Sequence, residues 1–221
     1  MDTVPRRQRN ARGQGGRLTG DIVSAALTLI ERTGSDEAVT LRAVAREIGI
    51  AAPSIYAHFP DREAIVAAAV ATIFDELSAA IVRGTDLAGD DPVDRLIAGC
   101  EAYVAFGLAH PARYAVLFSA RRMAPQDYEP ASPAPRGPGG RPALALGAHA
   151  FALLLDALED CVTGGVSAST DVVADATAVW VALHGTVSLR TSLSARFPWP
   201  RQAEFVRGLA LTLAKITTAR P

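Results

Sequence analysis

The segment TLRAVAREIGIAAPSIYAHF, Thr40 to Phe59, constrains the fold more than any other stretch, because two short helical patterns flank a single glycine. Thr40 is suited to cap a helix, and Leu41, Val44, Ala45 and Ile48 recur at the three-and-four spacing that makes one apolar stripe. Gly49 then takes the chain out of the helix, since a residue without Cβ adopts positive φ at no steric cost. Ile50 is placed to plug the corner. Pro53 fits the first turn of a second helix, where its missing N–H would be unpaired anyway. From there Ile55 and Phe59 face inward at i, i+4, leaving Ser54, Tyr56, Ala57 and His58 outward. A hydroxyl, a phenol and an imidazole on one exposed face suit the phosphate oxygens and groove edges of DNA. The pattern predicts a helix-turn-helix.

Around this core the periodicity is helical everywhere. Leu18 to Arg32 carries Ile22, Ala25, Ala26, Leu29 and Ile30 at helical spacing, with Thr19 as cap and Gly34 as stop. Asp61 caps a long helix to about Arg83, whose stripe includes Ile65, Val66, Ala69, Ile73, Leu77 and Ile81; at about 1.5 Å per residue it reaches from one domain to another. Gly84 to Asp91 reads as a linker. Helices follow over Val93–Leu108, Ala112–Phe118, Ala143–Val162, Asp171–Leu193 and Gln202–Thr217, while the Pro- and Gly-rich stretch 125–142 reads as a mobile loop. No alternating strand pattern competes, so the fold is expected to be all-α. The organisation is a disordered basic arm over 1–17, a three-helix helix-turn-helix domain over 18–64, and a helical domain over 65–221 reached through the long helix.

Charge and composition narrow the function. A chain of 221 residues with a formal net charge of −1 does not coat nucleic acid by bulk electrostatics, so any DNA contact must come from local patches. One such patch is the arm, where Arg6, Arg7, Arg9, Arg12 and Arg17 face only Asp2. It is either a solvated tail or an arm that gains phosphate or minor-groove contacts. No apolar run of bilayer-spanning length and no secretory leader is evident, which points to a cytoplasmic protein with no membrane partner. Cys100 and Cys161 each lie in an apolar helical stretch and read as free buried thiols, with no metal site and no cofactor. No nucleophile with an adjacent base and no paired carboxylates stand out, so an enzyme is not expected.

The run Thr40, Arg42, Ala45, Gly49, Ile50, Ser54, Ile55, Tyr56, His58, Phe59, Asp61, Arg62 and Glu63 resembles the DNA-binding domain of TetR-family transcriptional regulators. The likeness covers roughly Leu18 to Leu77. Trp180, His184 and Gly185, with His110-Pro111, Tyr114 and Phe118 earlier, resemble the C-terminal domain of the subgroup named for a Trp-His-Gly signature.

The resemblance implies a double-stranded DNA operator as partner and a small hydrophobic effector. Its DNA-facing positions are Thr40, Arg42, Ala52, Pro53, Ser54, Tyr56, His58 and Arg62. Arg42 is suited either to bidentate reading of guanine or to a phosphate contact. Tyr56 and His58 match phosphate-clamping positions, and Arg62 at a helix start could share a phosphate with the helix dipole. Ala51, Ala52 and Pro53 have no side-chain donor, so base reading falls to Arg42, Ser54, the arm and DNA shape. The resemblance also implies an effector pocket in the helical domain, for which Tyr103, Phe106, Tyr114 and Phe118 are candidates, together with Phe151, Trp180 and His184. His184 equally fits a core histidine bonded within the protein. The last two long helices resemble a four-helix dimer interface, with Val179, Leu183, Val187, Leu209 and Leu213 as its apolar residues. The expected protein is a homodimeric, ligand-responsive repressor released from a palindromic operator by its effector. An architectural DNA binder without an effector is the alternative.

Overall fold

The computed structural model describes residues 14–118, 148–193 and 197–217. Residues 1–13 of the expected arm and the expected loop over 125–142 lie outside them. Among the described residues there are eight α-helices, two short 3-10 turns and no strand, with one isolated bridge between Ser167 and Ile216. The fold is all-α. Two compact units divide at Ala69/Val70, five residues beyond the expected boundary and inside the long helix.

The N-terminal unit comprises α1 (Gln14–Thr33), a 3-10 turn (Asp36–Ala38), α2 (Leu41–Glu47), a second 3-10 turn (Ala52–Ser54) and the first part of α3 (Arg62–Leu87). Its core is built by Ile22, Ala26, Leu29 and Ile30 of α1, Val44 and Ala45 of α2, and Ile55, Phe59 and Ile65 after the corner, all buried. Two expectations about α1 are corrected. Gln14 to Arg17, assigned to the arm, are helical, and Thr19 is inside the helix rather than its cap. Nothing from Gln14 to Thr19 forbids helix, because no proline intervenes.

α3 also runs further than the pattern predicts, through Gly84 to Leu87. Gly84 is used for close packing rather than as a breaker: a Cβ there would lie 3.0 Å from Ala102 Cβ and 3.2 Å from the Ala98 carbonyl oxygen of the next helix. The linker shrinks to a short turn, with Gly89 at φ +82°.

The C-terminal unit contains the rest of α3, α4 (Pro92–Ala109), α5 (Pro111–Leu117), α6 (Ala148–Thr163), α7 (Val172–Ser192) and α8 (Gln202–Leu213). Asp91 caps α4 by accepting from the N–H groups of Val93 and Asp94, with Pro92 at the first helical position. α4 is central and packs against α6, α7 and α8. Contact with α7 is close enough that a Cβ on Gly107 would fall 2.6 Å from Val187 Cγ1 and 2.9 Å from Tyr114 Cδ2. Cys100 and Cys161 are free and buried, and burial pushes their thiols up to about 12 and about 11. The chain end is clasped to the α6–α7 corner: Ala168 N–H donates to Lys215 O and Thr217 N–H to Val166 O. Lys215 holds a positive φ of 53° there, with its Nζ 2.9 Å from Asp175.

One further expectation is corrected in α3 and α7: no apolar run of bilayer-spanning length is expected from the sequence, yet both helices are long and apolar enough to cross a bilayer on length and composition alone. Much of that apolarity is core stripe: Val70, Ile73, Leu77 and Ile81 in α3, and Val179, Leu183 and Val187 in α7, are buried. Of the residues expected at a dimer interface, Val179, Leu183 and Val187 are 0%, 2% and 0% exposed within a single chain. Leu209 and Leu213 are half-buried. The apolar residues α7 leaves outside are Val173, Val181 and Leu189, at 59%, 57% and 51% exposure.

Candidate nucleic-acid interface and aromatic cluster

The corner between α2 and the next turn is built by backbone hydrogen bonds that need its glycine. Gly49 sits at φ +68°; its N–H donates to Arg46 O at 3.3 Å, and Ile50 N–H donates to Ala45 O at 2.9 Å. This paired closure satisfies carbonyls that the helix end leaves open. At the other end Thr40 Oγ1 accepts from Ala43 N–H at 3.1 Å. The cap uses the hydroxyl as acceptor, and its O–H remains the donor that a phosphate oxygen would require.

The second element is tighter than the α-helix expected. Ala52–Ser54 is a 3-10 turn, with Ser54 N–H donating to Ala51 O and Ile55 N–H to Ala52 O, before one α-type bond from Phe59 N–H to Ile55 O. Ile55 and Phe59 point into the core, which turns Tyr56 outward at 62% exposure, with Ala57 also exposed and His58 half-buried. Arg42, Thr40 and Pro53 are exposed, while Ala52 and Ser54 are half-buried.

Two side chains have partners that sequence spacing could not reveal. His58 Nδ1 lies 3.0 Å from Thr19 Oγ1 on α1, across 39 residues of chain. Arg62, expected to meet a phosphate, has partners within its own unit: Nη2 donates to Asp36 O and lies 3.5 Å from Asp36 Oδ2, and Nη1 is 3.4 Å from Glu63. The helix start it belongs to is capped by the Asp61 carboxylate, which accepts from Ala64 N–H at 2.8 Å and would oppose a second anion. Arg32 and Glu47 pair at 3.4 Å and tie α1 to α2.

The aromatic residues singled out in the helical domain come together in the C-terminal unit. Phe118 is 4.4 Å from His184, 5.0 Å from Tyr114 and 6.3 Å from Trp180, ring centre to ring centre, and Trp180 is 6.2 Å from Phe151. Phe106 contacts the His110 ring, and Phe74 of α3, not anticipated, meets Phe118 edge-on. A polar relay runs through the cluster: Tyr103 and Tyr114 hydroxyls are 2.8 Å apart, Tyr114 Oη is 2.8 Å from His184 Nδ1, and Ser188 Oγ is 3.4 Å from His184 Nε2. Burial disfavours every charged form here. It pushes the Tyr103 phenol up to about 12, raises Tyr114 further, and lowers His184 below the ordinary histidine value. Tyr103, Phe106 and Tyr114 are buried, whereas Phe118, Phe151, Trp180 and His184 keep partial exposure. Among the described residues no group of His, Cys, Asp and Glu is arranged to hold a metal ion.

A glycine-cornered helix pair with an outward Tyr56, beside a separate all-helical unit with an aromatic core, defines a helix-turn-helix protein of the two-unit regulatory class. Residues 22–69 match the family model of bacterial regulatory proteins, tetR family, and residues 96–212, more than half of the chain, match the tetracyclin repressor-like C-terminal domain. The chain belongs to the TetR family of DNA-binding transcriptional regulators. It is 35% identical over 94 residues to Rv0681, an HTH-type transcriptional regulator of Mycobacterium tuberculosis, a match covering 42% of this chain and 41% of that protein. Similar solved structures include a protein from Rhodococcus sp. RHA1 (23% identity, 89% of this chain and 93% of that one, TM-score 0.70). A tetR-family regulatory protein from the same source (20%, 90% and 97%, TM-score 0.60) and the TetR-family regulator PfmR of Thermus thermophilus (20%, 90% and 99%, TM-score 0.56) share the fold as well.

Proposed function

We propose that this protein is a homodimeric, ligand-responsive repressor that leaves a palindromic operator when a small hydrophobic effector binds its helical unit. The observation that carries the reading is the pairing, in one TetR-family chain, of an outward Tyr56 beside the glycine corner with a part-exposed aromatic cluster that contains its own hydrogen-bonding relay. Thr40, Tyr56 and His58 hold phosphates and set the register, while Arg42 and Ser54 read bases. Ala52 and Pro53 approach the groove closely without hydrogen bonding. The effector stacks among Phe118, Phe151, Trp180 and His184, and the relay offers polar groups to orient it. Trp180, His184 and Gly185 align this unit with the Trp-His-Gly subgroup.

Dimerisation is assigned to the outer face of α7, through Val173, Val181 and Leu189, together with α8. The spacing is favourable, because Val173, Thr177, Val181, Gly185 and Leu189 recur every four residues and leave one side of the helix for a partner. Effector binding favours one geometry of the helical unit, and α3, which belongs to both units, carries the change to the heads. The protein acts in the cytoplasm, where its operator is. Selection of bound sequences from random DNA tests this directly. Two inverted half-sites about 34 to 36 Å apart are expected for a two-fold dimer, and a single unrepeated motif would contradict it. Indifference of the selected complex to chemically varied hydrophobic metabolites would favour an architectural binder.

A further inference from the structure

We propose that Thr19 is a positioning residue for DNA binding: its hydroxyl holds the His58 ring by Nδ1 so that the opposite nitrogen, Nε2, is presented to a phosphate oxygen. The proposal rests on the reading that His58 contacts the DNA backbone. The contact is long-range, 3.0 Å across 39 residues, and joins α1 to the reading element. α1 is a rigid base for it, since Ile22, Ala25, Ala26, Leu29 and Ile30, one to three turns beyond Thr19, are all buried.

The chemistry of the ring supplies the direction. The two imidazole nitrogens point to opposite edges, so fixing one on the protein side aims the other away from it. With Nδ1 accepting from the Thr19 O–H, the proton of the neutral ring sits on Nε2, where it can be donated to a phosphate oxygen; in the imidazolium Nδ1–H donates to Thr19 Oγ1 and Nε2–H still faces away. His58 is half-buried, and its ring has a broad torsion that little else in the local sequence restrains, with Ala57 before it and Pro60 two residues on. A pre-set ring loses less freedom on binding than a rotating one. Tyr56 is the more exposed of the two neighbouring clamps.

The test measures affinity for a random-sequence DNA duplex across a salt series, because a phosphate contact does not depend on base sequence. Thr19→Val keeps shape and removes the hydroxyl, Thr19→Ser restores it, and His58→Ala removes the ring. Thr19→Val is expected to weaken binding about two- to tenfold, and to lower the salt slope by up to about one, as loss of one phosphate contact does. Thr19→Ser should match the parent, and Thr19→Val/His58→Ala should be no weaker than His58→Ala alone. In the DNA-free protein the His58 ring nitrogens should give a single-state signature in the parent and Thr19→Ser, and an averaged one in Thr19→Val. Thermal midpoints check folding, and Thr19→Ala replaces the valine if that variant does not fold. If His58→Ala weakens binding while Thr19→Val leaves affinity and slope unchanged, or adds to it independently, the positioning role is wrong and the His58 contact stands. A silent His58→Ala removes both.

Discussion

The two units place their long-range polar contacts in opposite settings. In the N-terminal unit, Thr19 to His58, Arg32 to Glu47 and Arg62 to Asp36 join elements at or near the surface. In the C-terminal unit the Tyr103, Tyr114 and His184 relay threads an aromatic cluster, and Ser169 donates to Asp175 at 2.6 Å beneath Lys215. Surface ties can be removed with little loss of core, whereas buried ties cannot be separated from stability.

This contrast breaks most visibly at α4. Leu96, 1% exposed on the central helix, should lose about 2 to 5 kcal/mol of stability when changed to Ala, read as a lower urea midpoint for the C-terminal unit. Gly107→Ala should cost about 1 to 3 kcal/mol, because the added methyl meets Val187 and Tyr114 inside contact distance. If Gly107→Ala were neutral in the same urea titration, the close α4–α7 packing would be wrong.

The relay also predicts a pH window. His184 is lowered by burial, so its neutral form contributes fully above about pH 6.5, and stability falls as the unfolded chain takes up a proton below that. Tyr103 and Tyr114 are raised, so their contribution is complete below about pH 10 and is lost as pH rises through the folded values. Cys100 and Cys161 in the same unit are raised from about 9, so stability starts to fall above about pH 9, and thermal midpoints of the C-terminal unit should plateau between about pH 6.5 and about pH 9. His184→Gln should flatten the acid edge only. The smallest effect belongs to the N-terminal unit, where Arg32→Ala should change stability by less than about 1 kcal/mol because the pair is exposed, and DNA affinity should hold. A larger loss would erase the difference between the units.

The head was legible because its signals are local. Thr40 as cap, Gly49 as corner and Asp61 as cap each act within four residues, and each is found where the sequence puts it. The partners of Thr19 and Arg62 could not be read locally, because His58 and Asp36 lie 39 and 26 residues away. Gly84 looked like a stop because its packing partners on α4 are invisible locally. α7 is a different case: it is apolar on nearly every side, so no periodicity separates the buried Val179, Leu183 and Val187 from the exposed Val173, Val181 and Leu189. The aromatic cluster was legible as composition, whereas its Tyr–Tyr–His relay depends on three helices meeting.

The elements around Gly49 are proposed to bind DNA through Arg42 and Tyr56. A salt-controlled binding series on a duplex recovered from random DNA, with Arg42→Ala and Tyr56→Phe beside the parent chain, measures it most directly. Tyr56→Phe should weaken all sequences alike, and Arg42→Ala should lower affinity for the recovered duplex. Unchanged affinity and salt slope in both variants would contradict the account.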